Sequence, residues 1–450
     1  MNRNQVGTLL KSLWKKRVPG QLVIQLTDRC NALCTQCGMR ATEAFPRSKL
    51  SMDDVKRILD AAAARGVRVV SFTGGEPFLF FKDLVHLIRY AGQAGIDYVR
   101  TGTNGFVFIE ERHPSFESRI KRMAESLAET PLRNFWVSID SAVPEIHEKM
   151  RGFPGLIKGI EKALPIFHQS GLYPSANLGI NRNMGGKPGG NTTEETDFHT
   201  GDGRLCREFI QAFRRFYGFV IDLGFTIVNV CYPMSVDTHE TASGLQPVYG
   251  ATSKDPLVTF SGNEKAAIFK ALIDTVPEFR SRIRVFSPRS SLYALYRRYQ
   301  TGKESPYPCL GGKDFFFIDA RDGNTYPCGY RGHENYGKLW DPQFGPPENP
   351  TPCRRCDWEC FRDPSELFGP LLQARSDPLS LAAEIRRDPL FYRLWNDDLL
   401  YYRACDLFDG RKAPNVRKLR CFGASDCEIP LTPAWVSPPS AGGERKLEGA

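Results

Sequence analysis

Apolar and polar positions follow two rhythms between residues 21 and 286. Short runs rich in β-branched and aromatic residues recur, at Gln21 to Leu26, Val67 to Thr73, Ile96 to Thr101, Asn134 to Ile139, Ala176 to Ile180 and Phe225 to Val230. Between them lie longer segments whose apolar residues are spaced for one face of a helix. In SMDDVKRILDAAAARG, Ser51 stands at the N-cap, Asp54 takes the capping-box position usually held by glutamate, and Met52, Val55, Ile58, Leu59 and Ala62 form one stripe. Alternating strand and helix patterns predict parallel βαβ units and a curved α/β sheet.

Two polar stretches, Asn181 to Gly203 and Tyr232 to Gly262, interrupt this rhythm. Loops of that length at strand ends are expected to cover a substrate site. Beyond residue 286 a cysteine-rich block runs from Pro308 to Arg362, in which Asp322-Gly323 predicts a hairpin turn. The expected organisation is an amphipathic helix over 1–20, an α/β segment over 21–286, a cysteine-rich region over 287–375, a helical segment over 376–429 and a disordered Pro/Gly/Ser-rich tail over 430–450.

The chain has 450 residues and 41% hydrophobic content, ordinary for a soluble globular protein. Its thirteen cysteines, an odd number with no secretory signal ahead of them, read as metal ligands and free thiols of a reducing compartment, so the expected location is cytoplasmic. In the first helix Val6, Leu9, Leu10, Leu13 and Trp14 share a face, with Lys11, Lys15, Lys16 and Arg17 beside it. Docking onto the protein is the expected role of that face, and contact with a membrane surface is the alternative. The net charge of +9 is spread along the chain. The cluster around Arg297 and Arg298, between Tyr296 and Tyr299, reads as a solvated helix face rather than a nucleic-acid surface.

Candidate chemistry starts with Cys30, Cys34 and Cys37, eight residues in the run TDRCNALCTQCGMR just after the first strand pattern. A fully ligated cubic iron-sulfur cluster takes four thiolates, so three at this spacing leave one iron open. A structural zinc site wants four ligands, and no histidine or fourth cysteine is near in sequence. About thirty-five residues further on comes Gly74-Gly75-Glu76-Pro77. The C-x3-C-x2-C spacing and this second segment, in this order, resemble the signature of the radical S-adenosylmethionine (SAM) enzymes. The resemblance implies a partial (β/α)6 barrel, a 4Fe-4S cluster on the three cysteines, and SAM bound through its amine and carboxylate to the open iron. It further implies that the Gly74, Gly75 and Glu76 strand binds the amine. Asn104, Ser138, Asp140 and Arg151 fall where the family often places ribose or carboxylate contacts, although turn and cap roles suit the same residue types. Asn181 is a weaker candidate of the same kind. Gln36 stands where the family usually has an aromatic residue near the adenine, which shifts the expected adenine contact to Val228 or Val230.

The second cysteine block, Cys309, the hairpin ending at Cys328, then Cys353, Cys356 and Cys360, resembles the auxiliary-cluster extensions of that family called SPASM and twitch. Cys309, Cys328, Cys353 and Cys356 would supply the four thiolates of a second 4Fe-4S cluster, with Cys360 a fifth candidate able to replace one of them. A zinc ribbon is the alternative. Cys405, Cys421 and Cys427 read as ordinary thiols, although they raise the C-terminal count to eight, enough for two clusters. The expected function is reductive cleavage of SAM to a 5′-deoxyadenosyl radical that abstracts hydrogen from a small molecule or peptide, served by an external one-electron donor such as flavodoxin or ferredoxin. The twenty residues ahead of the first strand leave no room for a leader-peptide-binding domain, which favours a small, anionic metabolite over a peptide-maturase role. A non-catalytic iron-sulfur protein of electron transfer or assembly is the opposing class, and the Gly74 to Glu76 segment argues against it.

Overall fold

The computed structural model describes residues 13–44, 46–186, 203–236, 238–345 and 353–423. The first twelve residues of the expected N-terminal helix, most of the Asn181 to Gly203 stretch, Cys427 and the tail lie outside them. All six expected strands form: β1 (Gly20–Thr27), β2 (Val67–Gly74), β3 (Tyr98–Thr103), β4 (Leu132–Ser138), β5 (Ser175–Gly179) and β6 (Ile227–Cys231). They pair in sequence order and in parallel, as βαβ units require. β3 starts two residues later than its pattern suggests. Ile96 instead closes the preceding helix, its N–H donating to the Ala91 carbonyl, and Asp97 donates to the Arg68 carbonyl.

On the convex side lie α1 (Met52–Ala64), α2 (Phe81–Gln93), α3 (Phe116–Ala128), α4 (Pro144–Arg151), α5 (Leu156–Gln169), α6 (Arg204–Asp222) and α7 (Gly262–Phe279). The α1 stripe is as expected, with Val55, Ile58, Leu59 and Ala62 buried and Ser51 Oγ accepting from the Asp54 N–H at 3.0 Å. Burying such stripes against the outward-facing Leu22, Ile24, Val70, Phe72 and Val99 makes the main core, at roughly 1.5–3 kcal/mol per large side chain.

The sheet does not stop at residue 286. After the two-residue β7 (Arg284–Val285) on one edge, the cysteine-rich segment returns to the other edge, where β8 (Phe315–Ile318) pairs in parallel with β1 and forms a hairpin with β9 (Thr325–Tyr326). Gly323 supplies the left-handed turn residue, φ 69°. β1 is therefore buried on both faces: Leu22, Ile24 and Leu26 face the helices, while Val23 joins Phe315, Phe317, Trp358 and Phe361 in a second core beneath the cysteine block. α9 (Glu359–Ser376) and α10 (Pro389–Ala404) add Glu359, Cys360, Asp363, Leu399 and Tyr402 to the lining of the barrel interior.

α8 (Arg289–Thr301) corrects one expectation. Its basic pair is not a solvated face: Arg297 pairs with Asp388, and Arg298 donates to the carbonyls of Arg355 (2.6 Å) and Cys356 (3.1 Å), holding the second cysteine run. The N-terminus of α8 is capped from α10, where fully buried Asp398 accepts from the Arg289 and Ser290 N–H groups (3.0 and 2.8 Å), Ser290 Oγ (2.8 Å) and Arg280 Nη2 (2.6 Å). Asp398→Ala strands the Arg280 charge and uncaps α8, and should lower the unfolding free energy by about 3 kcal/mol, measured by urea denaturation. A loss below about 1 kcal/mol would show that Asp397, 2.8 Å from Arg280, suffices alone.

Candidate functional site

Thiols of Cys30, Cys34 and Cys37 line one end of a cavity of about 980 Å³ that runs through the barrel. Their loop is set by backbone packing. Gly75 N–H donates to the Thr27 carbonyl at 2.7 Å and Glu76 N–H to the Arg29 carbonyl at 2.8 Å. The two chains come so close that a Cβ on Gly74 would lie 2.3 Å from the Thr27 carbonyl oxygen, and one on Gly75 2.2 Å from that of Arg29. These glycines therefore dock the loop onto the end of β2, whatever else their carbonyls bind. Within the loop, Cys37 N–H donates to the Cys34 carbonyl, Met39 N–H to Cys37 Sγ at 3.4 Å, and Gly38 N–H to the Ala251 carbonyl. Burial pushes the Cys37 thiol up to about 11 and raises Cys30 and Cys34 as well, so all three are neutral until a metal displaces their protons.

Buried Glu76 links three strand ends. One carboxylate oxygen accepts from the Phe78 N–H (2.9 Å) and the other from the Asn104 N–H (2.5 Å), while Asn104 Nδ2 reaches Asn31 Oδ1 (2.9 Å) and Cys30 Sγ (3.7 Å). Burial outweighs these hydrogen bonds and pushes the Glu76 carboxyl to about 7. Just past the end of β4, Asp140 pairs with Arg151, Oδ2 to Nε 2.7 Å and Oδ1 to Nη2 2.9 Å. The Arg151 carbonyl accepts from the Leu33 N–H at 3.0 Å, tying the end of α4 to the cysteine loop. Beneath the pair, His147 Nδ1 accepts from the Asp140 N–H at 3.0 Å, and burial lowers this imidazole to about 4. Ser138, Gln36, Asn104, Asp140 and Arg151 all line the cavity. Asn181 does not, because its Nδ2 is spent on the carbonyls of Asp140 and Gly179.

Val228 and Val230 are corrected as adenine contacts. Both are buried in the outer core, since side chains of a strand alternate and the cavity-facing residues of β6 are Asn229 and Cys231. Apolar lining at this end comes instead from Ile180, Met234, Ala251 and Val258. The segment from Tyr232 carries several of these, and its Tyr249 hydroxyl meets Thr73 Oγ1 at 3.2 Å. Tyr249, Arg100, Trp136, Cys231 and Glu359 also line the cavity and were not singled out from the sequence. For the strand residues a signal existed: polar or bulky side chains at alternate positions, Tyr98 and Arg100 on β3 or Asn229 and Cys231 on β6.

The second block separates its own cysteines. Cys309, Cys328, Cys353 and Cys356 surround one small void, closed by Arg331, Trp358 and Phe361. Cys309 N–H donates to the Cys353 carbonyl (2.8 Å), while Gly311 and Tyr330 N–H groups donate to Cys309 Sγ and Cys328 Sγ, each at 3.4 Å. Cys360 is absent from this quartet and lines the barrel cavity, its Sγ 3.6 Å from Glu359 Oε1. The chain turns into α9 at Glu359, which carries Cys360 past the wall formed by Trp358. Its assignment as an auxiliary ligand is corrected accordingly. Cys405 is buried in a satellite core and Cys421 is exposed, as ordinary thiols. Among the described residues no three His, Cys, Asp or Glu side chains converge tightly enough for a single metal ion. A cubane spreads its thiolates over a larger body, and that donor set matches both groups.

His147 and Glu76 give the site opposing pH responses. Above pH 6.5 neither the folded nor the unfolded chain protonates His147, and as pH falls towards about 4 the unfolded chain binds a proton that the buried site refuses. The His147 contribution to stability should therefore fall by up to about 3 kcal/mol across that window, against an opposite contribution from Glu76, whose raised carboxyl takes up a proton in the folded chain before the unfolded one. His147→Gln should remove the His147 contribution, so that in urea unfolding the variant gains stability relative to the wild type as pH falls from about 7 to about 4; a pH-independent difference between the two would assign the acid sensitivity elsewhere.

Residues 24–191 match the family model of the Radical SAM superfamily. The GTP 3′,8-cyclase of Desulforamulus reducens is 30% identical over 257 residues, covering 54% of this chain and 68% of the relative. The AdoMet-dependent heme synthase of Methanosarcina barkeri is 22% identical over 359 residues, 78% of this chain and 87% of the relative, whereas the chain spans only 39% of the GTP 3′,8-cyclase of Rhizobium etli. Among solved structures, Streptococcus suis SuiB bound to S-adenosylmethionine aligns over 72% of this chain and 64% of that one, at 18% identity and a TM-score of 0.44. No described helix is long and apolar enough to cross a membrane. With its cysteine loop, its glycine-rich β2 end and its parallel sheet, the chain belongs to the radical SAM superfamily, whose members are enzymes that use a 4Fe-4S cluster and SAM.

Proposed function

We propose that the protein cleaves SAM reductively and directs the resulting radical at a small organic molecule held inside the barrel. The reading rests on three thiols, Cys30, Cys34 and Cys37, that line one end of a large cavity whose wall is otherwise mostly apolar. A 4Fe-4S cluster on them would supply, when bound, the electron that breaks the sulfonium C5′–S bond of SAM. The protein's own residues have separate tasks. Gly74 and Gly75 keep the loop against β2 and offer backbone carbonyls for the amine, and Glu76 locks that strand end to β3. Arg151, neutralised by Asp140, presents a guanidinium edge near the thiols for the carboxylate, and Asn104 and Ser138 suit the ribose hydroxyls. Ile180, Met234 and Val258 offer an apolar seat for the adenine. A predominantly apolar enclosure limits quenching of the radical by water.

Small-molecule chemistry is favoured over peptide chemistry by two relatives whose names refer to heme and GTP. The quartet Cys309, Cys328, Cys353 and Cys356 would hold an auxiliary 4Fe-4S cluster, with buried Arg362 nearby as a counter-charge. That second site would serve as an electron acceptor behind the wall of Trp358, and an external one-electron donor such as flavodoxin or ferredoxin would feed the first.

Replacing Cys30, Cys34 and Cys37 together by Ala should abolish formation of 5′-deoxyadenosine from SAM under strong reductant while leaving about half of the iron bound. Cleavage at the wild-type rate would defeat the reading. Within the second block, Cys356→Ala should release about half of the roughly eight iron atoms expected per chain, whereas Cys360→Ala should release none. Equal iron loss in the two variants would return Cys360 to the ligand set.

A further inference from the structure

Halfway down the barrel, a cation stands without an anion. Arg100 points inward from β3 into the same cavity as the three thiols, and among the described residues it forms no ion pair and no hydrogen bond. Its guanidinium lies over the ring of Trp136 at 5.2 Å and that of Phe286 at 5.7 Å, and its Nε is buried without a partner. Two other arginines of the cavity have carboxylates: Arg68 on β2 meets Asp97 at 3.7 Å, and Arg151 at the end of α4 meets Asp140 at 2.7 Å. A guanidinium set against two aromatic faces presents a forked set of donors, which an anion satisfies best.

The setting is built for this position. Gly102, next on the inward face of β3, leaves the space that the Trp136 ring fills: a Cβ there would lie 2.1 Å from Trp136 Nε1. Phe286 is fixed from below by Phe408, with ring centroids 4.6 Å apart, and by Tyr402 at 5.8 Å. Val69, Phe315, Leu367 and Leu399 add apolar lining to the same cavity, and Cys360 of α9 lies within electrostatic range of the guanidinium. Asn104, which touches Cys30, lies four positions beyond Arg100, or roughly 13 Å along the chain.

We propose that Arg100 anchors the carboxylate of an otherwise apolar substrate, which lies along the barrel axis with its reacting carbon towards the cysteine loop. The assignment rests on the proposed radical function for the reaction, though not for the binding. A single guanidinium presents one bidentate fork and one charge, the complement of a carboxylate, whereas a phosphate dianion would call for a second unpaired cation beside it.

The test uses anaerobically reconstituted full-length enzyme and isothermal titration with octanoate, octanol, octylamine and octyl phosphate. Octanoate should bind at least tenfold more tightly than octanol or octylamine. Arg100→Gln should remove that tenfold preference, and Arg100→Lys, which keeps the charge without the fork, should retain part of it. Equal binding of octanoate and octanol by the wild type would overturn the proposal without reference to any variant, as would an undiminished preference in a folded Arg100→Gln protein, checked by circular dichroism. Tighter binding of octyl phosphate than of octanoate would overturn the carboxylate assignment. Because no step of this assay involves SAM, failure to make 5′-deoxyadenosine would count against the radical reading alone.

Discussion

The contact between the ends of β1 and β2, where Gly74 and Gly75 lie against Thr27 and Arg29, is the constraint on which the site depends. It leaves no room for a side chain, and it fixes where the cysteine loop departs from the sheet. From there order spreads by direct contacts. Glu76 joins β2 to the end of β3 through Asn104, Asn104 reaches Cys30, and Arg151 links the end of α4 to Leu33 while pairing with Asp140 at the end of β4. Each link places a polar group at a strand's C-terminal end, where an α/β barrel gathers side chains from many elements around one point.

The cysteine-rich segment is part of the same body rather than an appendage. β8 extends the sheet beyond β1, and the loop from Tyr232 binds both cysteine regions: Val248 and Tyr249 donate to the Gly329 carbonyl beside Cys328, while Gly38, next to Cys37, donates to Ala251. Trp358 lines the barrel cavity on one side and the four-cysteine void on the other. Trp358 thus stands between the cavity that holds one thiol group and the void that holds the other.

The barrel cavity combines opposite demands. Its buried charges are mostly paired or hydrogen-bonded, as with Asp140 and Arg151, or Asp363 with Tyr232 (3.0 Å) and Ser291 (2.6 Å). Pairing makes such burial tolerable, since an isolated charge in an apolar wall is costly. Against that background Arg100 stands out as a charge with no ion pair among the described residues.

Local sequence determined the six strands, the α1 stripe with its Ser51 cap, the hairpin at Gly323 and the cysteine triplet, because periodicity, capping and close ligand spacing are properties of neighbouring residues. The start of β3 was misplaced because Ile96 and Asp97 are strand-like in type but bonded to a helix end and to β2. Val228 and Val230 drew attention by their apolarity, yet strand alternation turned them to the outer core and gave the cavity to Asn229 and Cys231. Spacing alone could not sort the cysteines of the second block. A β-bridge between Cys309 and Cys353 gathers one quartet, and the turn into α9 sends Cys360 to the opposite side of Trp358. Which thiols meet, which arginine lacks a partner and which side of a strand faces the cavity are set by contacts between residues far apart in the chain, and only the folded structure decides them.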